Sequence, residues 1–193
     1  MRRSVTAALI AALALTACTS QQIMPLRGGT PIAMDKRAVI QEPQKPAETF
    51  LLGLKTKSDL EAAPYDSWFK PGEEAYKSNP SVITLLRNAP QDYQISIFMG
   101  TWCDDSKAQV PNFYKILGEI DFDLSKVKLI TMDREKKTPE NFEEGLNITN
   151  VPTFIFYKNG KELHRIVESP VETLEADMLK IISEEPYKHT YQN

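Results

Sequence analysis

An apolar run from Tyr93 to Met99 leads through Gly100-Thr101 into Trp102-Cys103-Asp104-Asp105-Ser106. From Ser106 to Ile120 the apolar residues then recur at helical spacing, with Val110, Phe113, Tyr114 and Leu117 on one face. A short strand turning into an amphipathic helix constrains this chain most, because the apolar face dictates how the helix must lie on a sheet. The same turn puts Cys103 at the helix mouth. Unpaired backbone N–H groups and the helix dipole there favour thiolate, the nucleophilic form. Further on, Val151-Pro152-Thr153 precedes another apolar run. A proline after a β-branched residue can hold the chain open beside that sulfur.

The flanking segments give the rest of the expected architecture. Thr49 to Leu54 reads as a first strand, and residues 57–89 as helical patches broken by Pro64, Pro71 and Pro80. Trp68, Phe69 and Tyr76 in that stretch would supply buried aromatic surface. Val127 to Met132 reads as a strand followed by a solvated, charged turn at Asp133 to Lys137. Pro139 to Leu146 is expected to form a short helix with its start set by Thr138. Phe154 to Tyr157 and Leu163 to Val167 flank Lys158-Asn159-Gly160-Lys161, a hairpin signal. Val171 to Ile182, entered through Ser169-Pro170, closes the pattern as an amphipathic helix. The order β-α-β-α-β-β-α implies an α/β class with a central mixed sheet flanked by helices.

The N-terminal end has a different character. Met1-Arg2-Arg3 precedes a small, apolar run from Val5 to Leu15, then Thr16-Ala17-Cys18. That is a signal peptide pattern, too short for a permanent span. Leu15-Thr16-Ala17-Cys18 resembles the lipobox of bacterial lipoproteins. The resemblance implies cleavage before Cys18 and several acyl chains on it, which anchor where one chain binds only marginally. The expected organisation is a signal peptide at 1–17, a lipidated cysteine and flexible tether at 18–48, a folded domain at 49–185 and a polar tail at 186–193. Pro25, Pro31, Pro43, Pro46 and Gly28-Gly29 mark the tether. The expected location is the cell envelope. With Thr19 after the lipidated residue, it is the periplasmic face of the outer membrane if the cell is Gram-negative.

Two cysteines are present in the chain. A lipidated Cys18 cannot pair, which leaves Cys103 as the free thiol in a compartment where disulfides form. A formal charge of −3 with dispersed Lys and Arg provides no electrostatic reason to seek nucleic acid. No phosphate loop, dinucleotide fingerprint or serine-nucleophile elbow appears. His164 and His189, the two histidines, have no second ligand nearby in sequence. Neither a metal nor a cofactor is expected.

From roughly Thr49 to Ser183 the chain resembles the thioredoxin family. Trp102-Cys103 matches the start of that family's active-site motif, Lys107 the lysine that follows it, and Pro111 its helix proline. Val151-Pro152-Thr153 matches the loop whose proline is cis, and Tyr157 to Gly160 the late hairpin. The resemblance implies a thioredoxin-like fold with Cys103 as nucleophile, Trp102 as groove wall, and Val151, Pro152 and Thr153 as the substrate loop. A cis bond there would offer the Val151 carbonyl and N–H to a client strand. Four departures accompany it. Ser106 stands for the resolving cysteine, Asp104-Asp105 for Gly-Pro, Ile97 for a buried aspartate that serves the second thiol step, and Glu168 for a glycine.

The missing cysteine and the missing aspartate belong to the same resolving half of the cycle. The chain is therefore expected to be a membrane-anchored, monothiol thiol-disulfide oxidoreductase acting on protein or small-molecule thiols and disulfides. The alternative is a non-catalytic thioredoxin-fold binding module for envelope client proteins. Two roles stay open between readings. Asp105 is either a helix-start acid or the group that takes and gives the Cys103 proton. Ser106 is either a helix-turn filler or a hydroxyl donor to the thiolate. Asp104 and Asp105 raise a neighbouring thiol's pKa while Lys107 and the helix N–H groups lower it, and the residue types leave the sign open.

Overall fold

The computed structural model describes residues 49–192. The expected signal peptide, lipobox cysteine and tether, residues 1–48, lie outside the described residues.

The chain enters through β1 (Gly53–Lys55) and the helices α1 (Lys57–Leu60), α2 (Asp66–Ala75) and α3 (Pro80–Asn88). Pro80 opens α3 at a position where its missing N–H costs nothing, with Asn79 accepting from the Ser81 N–H as cap. The strand-turn-helix of the sequence follows as β2 (Tyr93–Met99) and α4 (Asp104–Glu119), then β3 (Val127–Thr131). β4 (Thr153–Lys158), β5 (Lys161–Val167) and α5 (Leu174–Ile182) complete the order. The strands form one sheet in the order β1-β3-β2-β4-β5. β2 and β3 run parallel, as a crossover through α4 requires, and the other neighbours are antiparallel. Between β4 and β5, Asn159 and Gly160 both take the left-handed conformation, at φ 52° and 77°. That pair of angles is what a two-residue hairpin matched to strand twist needs.

Register places Ile97 between Leu129 and Phe154 at the centre of the sheet, all three buried. Ile95, Ile97 and Met99 meet Val110, Phe113 and Leu117 of α4 in one cluster, which also takes residues of α2, α3 and α5. The Phe113 and Phe154 rings lie 4.4 Å apart. Each such side chain contributes about 1.5–3 kcal/mol on full burial, so α4 is clamped to the sheet along its length. Phe69 is fully buried, and Trp68 and Tyr76 are packed against the same cluster, as expected. The opposite face carries Phe98, Ile130, Met132, Val151 and Ile155, with Leu146, Ile148 and Trp102 packed over them.

Apart from shifts of one or two residues at the ends of β3, β4 and β5, the structure differs from expectation in these places. β1 begins at Gly53 rather than Thr49. α4 begins at Asp104, ahead of Ser106, so Cys103 itself is the cap residue. α5 begins at Leu174, because Thr173 accepts the Ala176 N–H and caps there. Pro139 to Leu146 forms turns and not a helix. Thr138 Oγ1 accepts the Phe142 N–H while donating to the Glu143 carboxylate, which also takes the Thr138 N–H. Asn141 and Gly145 are left-handed. Side-chain bonds to backbone thus displace the helical ladder.

Candidate functional site

Three pieces meet at the C-terminal end of β2: the turn from Gly100 to Cys103, the first turn of α4, and the loop that enters β4. The Cys103 N–H donates to the Gly100 carbonyl at 3.0 Å, and the Cys103 carbonyl accepts the Lys107 N–H at 3.0 Å. Cys103 is extended at φ −93° and ψ 127°, and its side chain caps no helix N–H. The thiol instead faces the Val151 carbonyl, with Sγ 3.2 Å from the oxygen. Instead of lying against the backbone N–H groups of the helix mouth, as expected, the sulfur is aimed across to the facing loop. Cys103 is half-buried and unpaired.

That loop is held from three directions. The Val151–Pro152 bond is cis. The Pro152 carbonyl accepts the Glu168 N–H at 2.7 Å, and Thr153 Oγ1 donates to the Asn150 carbonyl at 2.7 Å. Val151 and Thr153 are buried. Among the described residues the Val151 N–H has no hydrogen-bond partner.

Trp102 forms the wall beside the sulfur. Its Nε1–H donates to the Met132 carbonyl at 2.9 Å, and the Arg134 guanidinium lies 5.1 Å from its ring, a cation–π contact. The indole presses so closely on Gly100 that a Cβ there would lie 2.4 Å from Trp102 Cε2. Gly100→Ala must therefore push the indole off the cluster or shift the turn that carries Cys103. Since displacements of about 1 Å can cost up to a hundredfold, we expect a loss on the order of tenfold in Cys103 exchange rate with a disulfide probe. An unchanged rate would show that the indole's position does not govern the sulfur.

The remaining expected site residues divide. Ser106 is fully buried and its Oγ accepts the Gly100 N–H at 3.2 Å, tying α4 to the end of β2. Asp104 is exposed and pairs with Lys107 at 3.0 Å, so that ammonium is engaged by its own helix. Asp105 is exposed, and its carboxylate makes no hydrogen bond or ion pair among the described residues. Its position suits a helix-start acid. Ile97 is fully buried beneath α4, an apolar floor. Among the described residues no group of three or more His, Cys, Asp or Glu is arranged to hold a metal.

Arg134 and Asn150 escaped sequence reading. Arg134 is far from Trp102 along the chain, in a turn that reads as solvated. Asn150, whose amide donates to Glu168 Oε1 at 3.3 Å, had one available signal: its place directly before Val151-Pro152.

Comparison with known proteins matches residues 85–180 to the thioredoxin family. Thioredoxin Asp f 28 of Aspergillus fumigatus is 37% identical over 87 residues, which cover 45% of this chain and 74% of that protein. Thioredoxin Y, chloroplastic, of Oryza sativa subsp. japonica is 38% identical over 69 residues, 35% of this chain and 38% of that protein. Among solved structures, an HIV epitope scaffold is similar at a TM-score of 0.53 and 13% identity, over 69% of this chain and 94% of that one. That last likeness is one of fold alone.

Proposed function

The chain belongs to the thioredoxin family, and from that premise we propose that it is a thiol-disulfide oxidoreductase working through one sulfur, Cys103. We further propose that it is anchored to a bacterial envelope membrane through lipidated Cys18. The observation that carries the catalytic reading is the half-buried Cys103 Sγ, 3.2 Å from the carbonyl of Val151 and beside Pro152.

In the first step the deprotonated sulfur attacks one sulfur of a client disulfide. A Cys103–client S–S bond forms, and the other client sulfur leaves as thiolate and takes a proton from solvent. Loss of the Cys103 proton also frees the Val151 carbonyl of its donor. An incoming backbone N–H can replace that donor, while the unpartnered Val151 N–H takes a client carbonyl, so pairing needs no particular client sequence. Trp102 closes the side of the groove, and Thr153 holds the loop through Asn150.

Ser106 cannot complete the cycle, because a hydroxyl forms no S–S bond. An external thiol must attack Cys103 Sγ, releasing the client as a thiol. A second thiol then frees Cys103 and leaves the two external thiols joined as a disulfide. Overall the client disulfide is reduced and two small or protein thiols are oxidised.

The test is to trap a disulfide-bearing peptide on Cys103 and follow its release with and without added glutathione. The wild-type adduct should persist until thiol is added. In Ser106→Cys a second sulfur lies three residues on along the helix, within disulfide reach, and release without added thiol should quicken about tenfold or more. An adduct that never forms, or that wild type releases equally fast without thiol, would defeat the monothiol reading.

A further inference from the structure

We propose that Glu168 sets the charge preference of this site, favouring disulfide partners with a cation beside the reacting sulfur and slowing anionic ones; the inference rests on exchange through Cys103. Glu168 follows β5 with φ at 63°, in the left-handed region that suits glycine. Its backbone N–H holds the Pro152 carbonyl at 2.7 Å, a bond that needs no side chain. The carboxylate is therefore surplus to the fold at this position, and the backbone would be better served without it. Asn150 nonetheless fixes it, donating to Oε1 at 3.3 Å.

Asn150 and Pro152 flank Val151, the residue whose carbonyl faces the sulfur. Glu168 is thus tied to both neighbours of the residue a client must approach, and it is half-buried, where salt screens a charge less than on open surface. Lys107 is paired with Asp104, and Asp105 adds a second negative charge at the helix start. The Arg134 guanidinium packs on the Trp102 ring, 5.1 Å from its centroid. A client passing Val151 therefore meets negative charge on the loop side, which attracts a neighbouring cation and repels an anion.

The test uses the full chain and two kinds of probe at low ionic strength. One is a pair of disulfide peptides identical except for Lys or Glu next to the cysteine. The other is alkylation of Cys103 by neutral iodoacetamide and anionic iodoacetate. Wild type should favour the Lys peptide and iodoacetamide. Glu168→Gln should shrink both preferences about threefold, the effect of one screened charge at close range. Glu168→Gly, which relieves the left-handed backbone, should lose the same preference while melting no lower than wild type. Ratios unchanged in both variants would overturn the inference and leave the exchange reading standing. A sulfur that alkylates but accepts neither peptide would remove the exchange reading, and this inference with it.

Discussion

Cys103→Ser is expected to reduce thiol-disulfide exchange to the uncatalysed background while leaving the fold intact. The other described site residues carry no thiol, and Ser106, the neighbour nearest in helix register, is fully buried with its Oγ engaged by the Gly100 N–H. A serine at 103 can still donate to the Val151 carbonyl and occupies a half-buried cap position, so the melting temperature should shift by no more than about 2 °C. Serine is also a favoured helix cap, which works against any loss of stability. The measurement is disulfide-probe turnover with added glutathione, beside thermal unfolding. It is made in a Cys18→Ser background so that the chain's other cysteine contributes nothing. Exchange surviving in that double variant would move the chemistry away from Cys103 and end the proposed mechanism.

The largest stability effect is expected at Asp177. It is fully buried on α5, where Oδ2 accepts the Val171 N–H at 2.6 Å and the Tyr187 hydroxyl at 2.8 Å. Oδ1 accepts the Glu172 N–H at 3.1 Å. Burial, then the bond to Asp177, pushes the Tyr187 phenol's pKa upward, so it remains a donor well into alkaline solution. Asp177→Ala strands two backbone donors and one phenol, each costing about 1 kcal/mol or more. A loss of about 3 kcal/mol should follow, lowering the melting temperature by roughly 10 °C. Asp177→Asn keeps one acceptor oxygen and should lose about half as much, and Tyr187→Phe about 1 kcal/mol. Thermal and urea unfolding check all three. A cost below about 1 kcal/mol for the alanine variant would mean that the stranded donors find other partners. The network also bears on the site, because Val171 and Glu172 belong to the segment that leaves β5 just after Glu168.

Much of the core was legible because strand alternation and helical spacing report local geometry directly. Tyr93–Met99 is a strand over the expected residues, and the face of Val110, Phe113, Tyr114 and Leu117 is buried as expected. Asn159-Gly160 makes its hairpin because few other residue pairs tolerate two left-handed angles in succession. The stretch from Pro139 to Leu146 was misleading for the opposite reason. Thr138 and Pro139 look like a helix start, but the Glu143 carboxylate folds back onto Thr138, an alternative that no periodicity records. The beginning of α5 shifted likewise, because Asp177 takes the N–H groups of Val171 and Glu172 for itself.

At the site, residue types alone determined that a sulfur stands where a strand passes into a helix, that a proline loop accompanies it, and that no second sulfur follows in the motif. Tertiary structure alone decided which way each group points. The thiol meets the Val151 carbonyl, the Ser106 hydroxyl meets Gly100, and Arg134 comes to rest on Trp102. Chain composition carries chemistry and local spacing carries backbone geometry. Contacts between residues distant along the chain depend on how the sheet brings its strand ends together, and no short stretch of sequence holds that information.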